Sequence, residues 1–145
     1  MAFGSHCYYL SHMEATVDDA MDFCKQNGSY LIEINSPLEN TWIKDSYLLP
    51  VNGVTDTCPK FYSCSVWIGA RYLSSSGKFV WNQTGEEMVY PEWDVNQPNN
   101  RKGQQDCVVL MRKGKANDRG CRDKFQFICE KAAKVLPFLP PEGEG

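Results

Sequence analysis

Seven cysteines are distributed along this chain, at positions 7, 24, 58, 64, 107, 121 and 129. A disulfide forms only where two Cα atoms come within roughly 7 Å, so cysteine placement restricts the fold more than any other feature. Six of the seven read as three nested bridges, and two of those bridges bracket a polar stretch able to hold a ligand. None of the cysteines stands in a Cys-x-x-Cys pair, and the two histidines, His6 and His12, lie near the N-terminus. That distribution argues against zinc and for a disulfide framework formed in an oxidising compartment. Two glycosylation acceptors, Asn27-Gly28-Ser29 and Asn82-Gln83-Thr84, agree with secretion.

The bracketed stretch is crowded with side-chain oxygens: Gln97, Asn99, Asn100, Gln104, Gln105, Asp106, Asn117 and Asp118. Such oxygens hold hard cations and hydrogen-bond to sugar hydroxyls. Other function classes have little support. The net charge of -3 and the lack of a basic stripe argue against nucleic acid. No apolar run approaches the roughly 20 residues of a membrane span. The start, Met-Ala-Phe-Gly-Ser, has neither a charged n-region nor an apolar h-region, as expected of a mature or recombinant start. No His–acid pattern accompanies a cysteine nucleophile, so an enzyme is not expected.

The 145 residues suit one domain, residues 1–132, followed by a Pro/Gly-rich tail at 133–145 that is expected to be mobile. Residues 7–12 read as a strand. Thr16 caps a first helix with Val17, Ala20, Met21 and Cys24 on one face and Gly28 as its stop. Ser36 caps a second helix with Pro37 at its first position and Glu39 completing a capping box. Leu38, Trp42, Ile43 and Tyr47 form its predicted buried stripe. Residues 50–64 form a loop that a local Cys58–Cys64 bridge would staple. Strands follow at 66–69, 79–81, 107–111 and 125–129. The third of these is apolar throughout and so central; the last alternates. Residues 82–106 are rich in turn formers, and a long irregular segment in a compact domain is usually functional.

These landmarks together resemble the C-type lectin-like domain, a carbohydrate-recognition domain. The matching residues are Phe3-Gly4-Ser5-His6-Cys7-Tyr8, Cys24, Leu31, Trp67-Ile68-Gly69, Phe79, Trp81, Trp93, Gln97-Pro98-Asn99-Asn100, Gly103, Asp106-Cys107, Asn117-Asp118, Cys121 and Phe127-Ile128-Cys129. The resemblance implies an α+β fold, two helices flanking small antiparallel sheets, with a long loop region carrying the site. It also implies bridges Cys24–Cys129 and Cys107–Cys121, and Trp67, Trp81 and Trp93 as packing residues.

For the site, the resemblance implies a calcium ion held by Gln97, Asn99, Gln105, Asn117 and Asp118, with two sugar hydroxyls completing its shell. Arg101 lies in the same loop. Of these five ligand positions only Asp118 carries a carboxylate. Ligand charge sets calcium affinity, so calcium is expected to bind weakly, in the roughly millimolar class, or not at all. Gln-Pro-Asn is a hybrid of the family's mannose-type and galactose-type triplets and does not decide between them. Arg112, Lys113 and Lys115, with Arg101 and Lys102, make the neighbouring surface basic, which would attract anionic glycans.

The expected function is therefore a secreted lectin without catalytic activity that recognises glycans on cells or microbes, in the setting of innate immunity. The alternative is a calcium-independent module of the same fold that binds a protein partner. Cys7 is the odd cysteine, left over by truncation, bridging two chains in a homodimer, or re-paired with Cys58 or Cys64.

Overall fold

The computed structural model describes residues 2–4, 6–11, 13–48, 65–98 and 105–132. Within these, β1 (Ala2–Phe3) and β2 (His6–Leu10) lead to α1 (Val17–Gln26), β3 (Tyr30–Leu31) and α2 (Pro37–Ile43), which continues as a π-helical turn over Lys44–Leu48. The second half is β4 (Val66–Leu73), β5 (Lys78–Trp81), β6 (Cys107–Leu110), β7 (Ala116–Arg119) and β8 (Gln126–Ala132). The expected loop and bridge at Cys58–Cys64 lie outside the described residues, as do Asn99, Arg101 and the tail.

The strands run in the order β1-β2-β8-β4-β6-β7, with β3 also on β8 and β5 also on β4. Near its end β8 lies between β2 and β3, where Cys129 faces Tyr9 on one side and Leu31 on the other. At its start it pairs in parallel with β4, Phe127 beside Trp67. Flanked in this way, Phe127, Ile128, Cys129 and Glu130 are all buried. The predicted alternation fails because neither face of β8 meets water over Phe127–Glu130. As expected, β6 is internal, between β4 and β7.

Helix α1 begins as the sequence implies: the Thr16 hydroxyl accepts from the Asp19 N–H at 3.3 Å, and Val17, Ala20 and Cys24 are buried. In α2 the Ser36 hydroxyl accepts from the Glu39 N–H at 3.0 Å. Glu39, however, reaches back to the N–H of Asn35 at 2.8 Å rather than to that of Ser36, because its other oxygen is held by the buried Tyr8 hydroxyl. Leu38, expected in the core, is exposed. With Glu39 and Ile43 turned inward, Leu38 falls on the solvent face of the helix.

Two clusters of side chains form the core. One gathers Ile32, Ile34, Ile43, Ile68, Trp81, Val108 and Ile128. The other gathers Val17, Ala20, Trp67, Val109, Phe125 and Phe127 around the cysteines. Disulfides Cys24–Cys129 and Cys107–Cys121 tie α1 to β8 and β6 to the turn after β7. Trp67 and Trp81 are buried and Trp93 packs against the first cluster.

Candidate functional site

Three segments carry the described ligand positions. The first is the turn at residues 94–98. Glu92 C=O accepts from Ala116 N–H at 2.8 Å, and Ala116 C=O accepts from Asp94 N–H at 2.9 Å, which lays the long loop along the start of β7. Gln97 N–H then donates to Asp94 C=O at 3.0 Å, with Asn96 in the left-handed region at φ 65°. Asparagine tolerates that region better than most residues. The second segment is Gln105–Asp106, fixed where Asp106 C=O accepts from Tyr72 N–H at 2.8 Å. The third is β7, where Asn117 and Asp118 face Val109 and Val108 of β6.

This weave brings the positions toward one region of the fold. Gln97 is one turn from Asp94, which is bonded to the residue before Asn117. Gln105 stands two residues before Cys107, and Cys107 pairs with Arg119, the neighbour of Asp118. Asn117 and Asp118 are buried, at 8% and 0% exposure, while Gln97 and Gln105 are half-buried. The buried Oε1 of Gln97 has no hydrogen-bond partner among the described residues. An unsatisfied buried oxygen costs free energy, and an external donor or a cation would recover it. Among the described residues, no three acidic, cysteine or histidine side chains converge as a metal cluster.

The same junction is electrostatically tied. Lys113 Nζ lies 2.9 Å from Asp94 Oδ1, and Lys115 Nζ lies 2.9 Å from Glu92 Oε1. Partial burial works to raise the Asp94 carboxyl, but the Lys113 ammonium, the Val95 N–H and Lys115 outweigh it and hold the group below its usual range.

The chain matches the Lectin C-type domain family over residues 13–131. It belongs to that family. Salivary C-type lectin 2 of Aedes albopictus is 30% identical to this C-type lectin domain over 135 residues, covering 88% of this chain and 84% of that protein. The mouse scavenger receptor C-type lectin carbohydrate-recognition domain superposes with a TM-score of 0.75 at 32% identity, covering 94% of this chain and 96% of that one. A calcium-independent type II antifreeze protein also superposes, with a TM-score of 0.72 at 25% identity over 92% of each chain. C-type lectins are binding proteins, and this C-type lectin domain is not an enzyme.

Calcium is the ion that membership of the family implies. The amide and carboxylate oxygens of Gln97, Gln105, Asn117 and Asp118 suit a hard cation, and Gln97 Oε1, without a hydrogen-bond partner among the described residues, has lone pairs to offer it, so the residues fit.

Two features of the site went unread in the sequence. The expected basic surface is partly neutralised, because Lys113 and Lys115 are paired with acids of the long loop. The signal was present only as composition: two acids, Glu92 and Asp94, precede the site in the sequence and two lysines, Lys113 and Lys115, lie just before β7. The second is a buried acidic group. Glu130 Oε1 accepts from Glu33 N–H at 3.0 Å, its Oε2 lies 2.5 Å from His6 Nδ1, and Glu33 Oε2 accepts from Gln83 N–H at 2.7 Å. Burial raises the Glu33 carboxyl to about 7, against the Gln83 bond and with Glu130 and Glu86 adding to the rise. Burial likewise raises Glu130. Glu33 thus anchors the start of the long loop from inside the fold, a role that only the folded chain reveals.

Proposed function

We propose that this domain is a secreted lectin that binds glycans non-covalently through Gln97, Asn99, Arg101, Gln105, Asn117 and Asp118, and that its dependence on calcium is weak. The observation that carries the reading is the buried Gln97 oxygen, without a hydrogen-bond partner among the described residues, on a loop bonded to β7 beside Asn117 and Asp118. Calcium, when bound, would present the sugar's hydroxyls with a cation; the protein's own amides supply both donors and acceptors to the same hydroxyls. A single shallow site binds weakly, so several sites per assembly raise avidity, and the free thiol of Cys7 is the candidate link between two chains.

A second reading, a calcium-independent module for a protein partner, draws on the amide-rich donor set and on the likeness to a calcium-independent antifreeze protein.

Gln105→Glu separates the mechanisms. If calcium bridges the sugar, the added charge tightens calcium and sugar binding together. If the sugar is held directly, calcium stays irrelevant and sugar affinity falls, because the amide donor is gone. Sugar affinity of wild type and variant, each with calcium and with chelator, reads the difference. Calorimetry on the wild type is expected to give a calcium dissociation constant in the roughly millimolar class. Failure of every sugar on a glycan array, with or without calcium, would leave the protein-binding reading.

A further inference from the structure

A groove of about 400 Å³ opens beside the long-loop site, lined by Tyr72, Lys78, Phe79, Glu87, Trp93 and Pro98 among others. That volume falls in the roughly 300–1,000 Å³ range of small-ligand sites. Its aromatic rings hold one another in place. Tyr72 and Phe79 lie 5.4 Å apart, tilted, and Phe79 and Trp93 lie 4.9 Å apart, edge to face. At the rim, the exposed Lys78 Nζ and Glu87 Oε1 stand 3.5 Å apart.

The groove shares two boundaries with the ligand positions. Pro98 follows Gln97 directly, and Tyr72 donates its N–H to Asp106, the residue after Gln105. Residues 97–106 contain no aromatic of their own, and the aromatic surface that adjoins Pro98 among the described residues comes from the sheet and from Trp93.

We infer that this groove is a second sugar subsite, taking the residue adjacent to the one held at Gln97, Gln105, Asn117 and Asp118, so that the ligand is a neutral oligosaccharide of two or more residues. A pyranose ring has an apolar C–H face and hydroxyl-bearing edges. Tyr72, Phe79 and Trp93 supply surface for the face; Lys78, Glu87 and the Tyr72 hydroxyl supply partners for the edges. The Lys78–Glu87 charges offset each other, which favours a neutral sugar over an acidic one. The inference rests on the carbohydrate reading of the long-loop site.

The test compares methyl α-mannoside and methyl β-galactoside with mannose- and galactose-terminated disaccharides and trisaccharides, by competition against wild type, Tyr72→Ala and Lys78→Ala. An oligosaccharide is expected to bind wild type roughly fivefold to tenfold more tightly than its monosaccharide, the effect of one well-placed aromatic contact. In Tyr72→Ala that ratio falls to about one, and in Lys78→Ala it falls part of the way. Leu73→Ala, an exposed neighbour on the same strand outside the groove lining, keeps the wild-type ratio and controls for damage to β4. Equal affinity of wild type for monosaccharide and oligosaccharide, or a Tyr72→Ala ratio unchanged from wild type, overturns the subsite while leaving the primary site standing. If no saccharide of any length binds, the carbohydrate reading itself fails, and the subsite with it.

Discussion

Gly69 shows how the absence of a side chain decides where two strands can lie. A Cβ at this position would fall 2.7 Å from the Leu31 carbonyl oxygen and 3.2 Å from that of Ile32, while Gly69 N–H already donates to Ile32 C=O at 2.8 Å. The obstructing atoms are backbone and cannot rotate away. Gly69→Ala is therefore expected to cost about 1–3 kcal/mol in urea unfolding, the range for overpacking. Glu33 makes a pH-dependent contribution. With its carboxyl raised from 4.5 to about 7, the folded chain holds a proton that the unfolded chain releases. Its effect on stability is thus most favourable below about 4.5 and weakens as pH rises to about 7. Glu33→Gln keeps an acceptor for Gln83 N–H but cannot ionise, so its melting temperature should vary less than that of wild type between these pH values. An unchanged pH slope would show that Glu33 does not carry the effect.

Helix starts were legible because capping is local. Thr16 and Ser36 each accept a bond from the N–H three residues on, a relation that needs no tertiary neighbour. Ser36→Ala should cost about 1 kcal/mol by chemical denaturation, the typical worth of such a cap. Leu38→Gln should change stability by less than about 0.5 kcal/mol, since Leu38 is 70% exposed. Leu38 is apolar yet faces water because the inward face of α2 is set by Glu39 turning in to meet Tyr8. Strand β7 was not predicted at all. Ala-Asn-Asp-Arg has almost no β-propensity, and its strand form comes from pairing with apolar β6 over Cys107–Leu110.

At the scale of the molecule, two disulfides of different reach hold the described fold. Cys24–Cys129 spans 105 positions and Cys107–Cys121 spans 14. On the chain-entropy view the long bridge contributes roughly 4–5 kcal/mol and the short one about 3. Removing the long bridge with paired alanines should accordingly lower the urea midpoint more than removing the short one. The reverse order would mean that the short bridge acts mainly on the native state, by fixing the end of the hairpin beside Asp118. The long loop is joined to this frame by backbone bonds to Ala116, by the Asp94–Lys113 and Glu92–Lys115 pairs, and by Glu33 at Gln83. The shape of its described part, residues 82–98, is therefore a property of the whole domain.

The sequence by itself determined the fold family, the α+β class, both helix starts and the internal β6 strand. Each of these rests on spacing, capping or landmark order, which are local or one-dimensional signals. Only the tertiary structure decided that β8 is buried on both faces over Phe127–Glu130, that Leu38 faces water, that Lys113 and Lys115 are neutralised by the long loop, and that an aromatic groove adjoins Gln97. Those features depend on residues far apart in the chain meeting across strands, and burial, pairing and concavity exist only once the chain has closed.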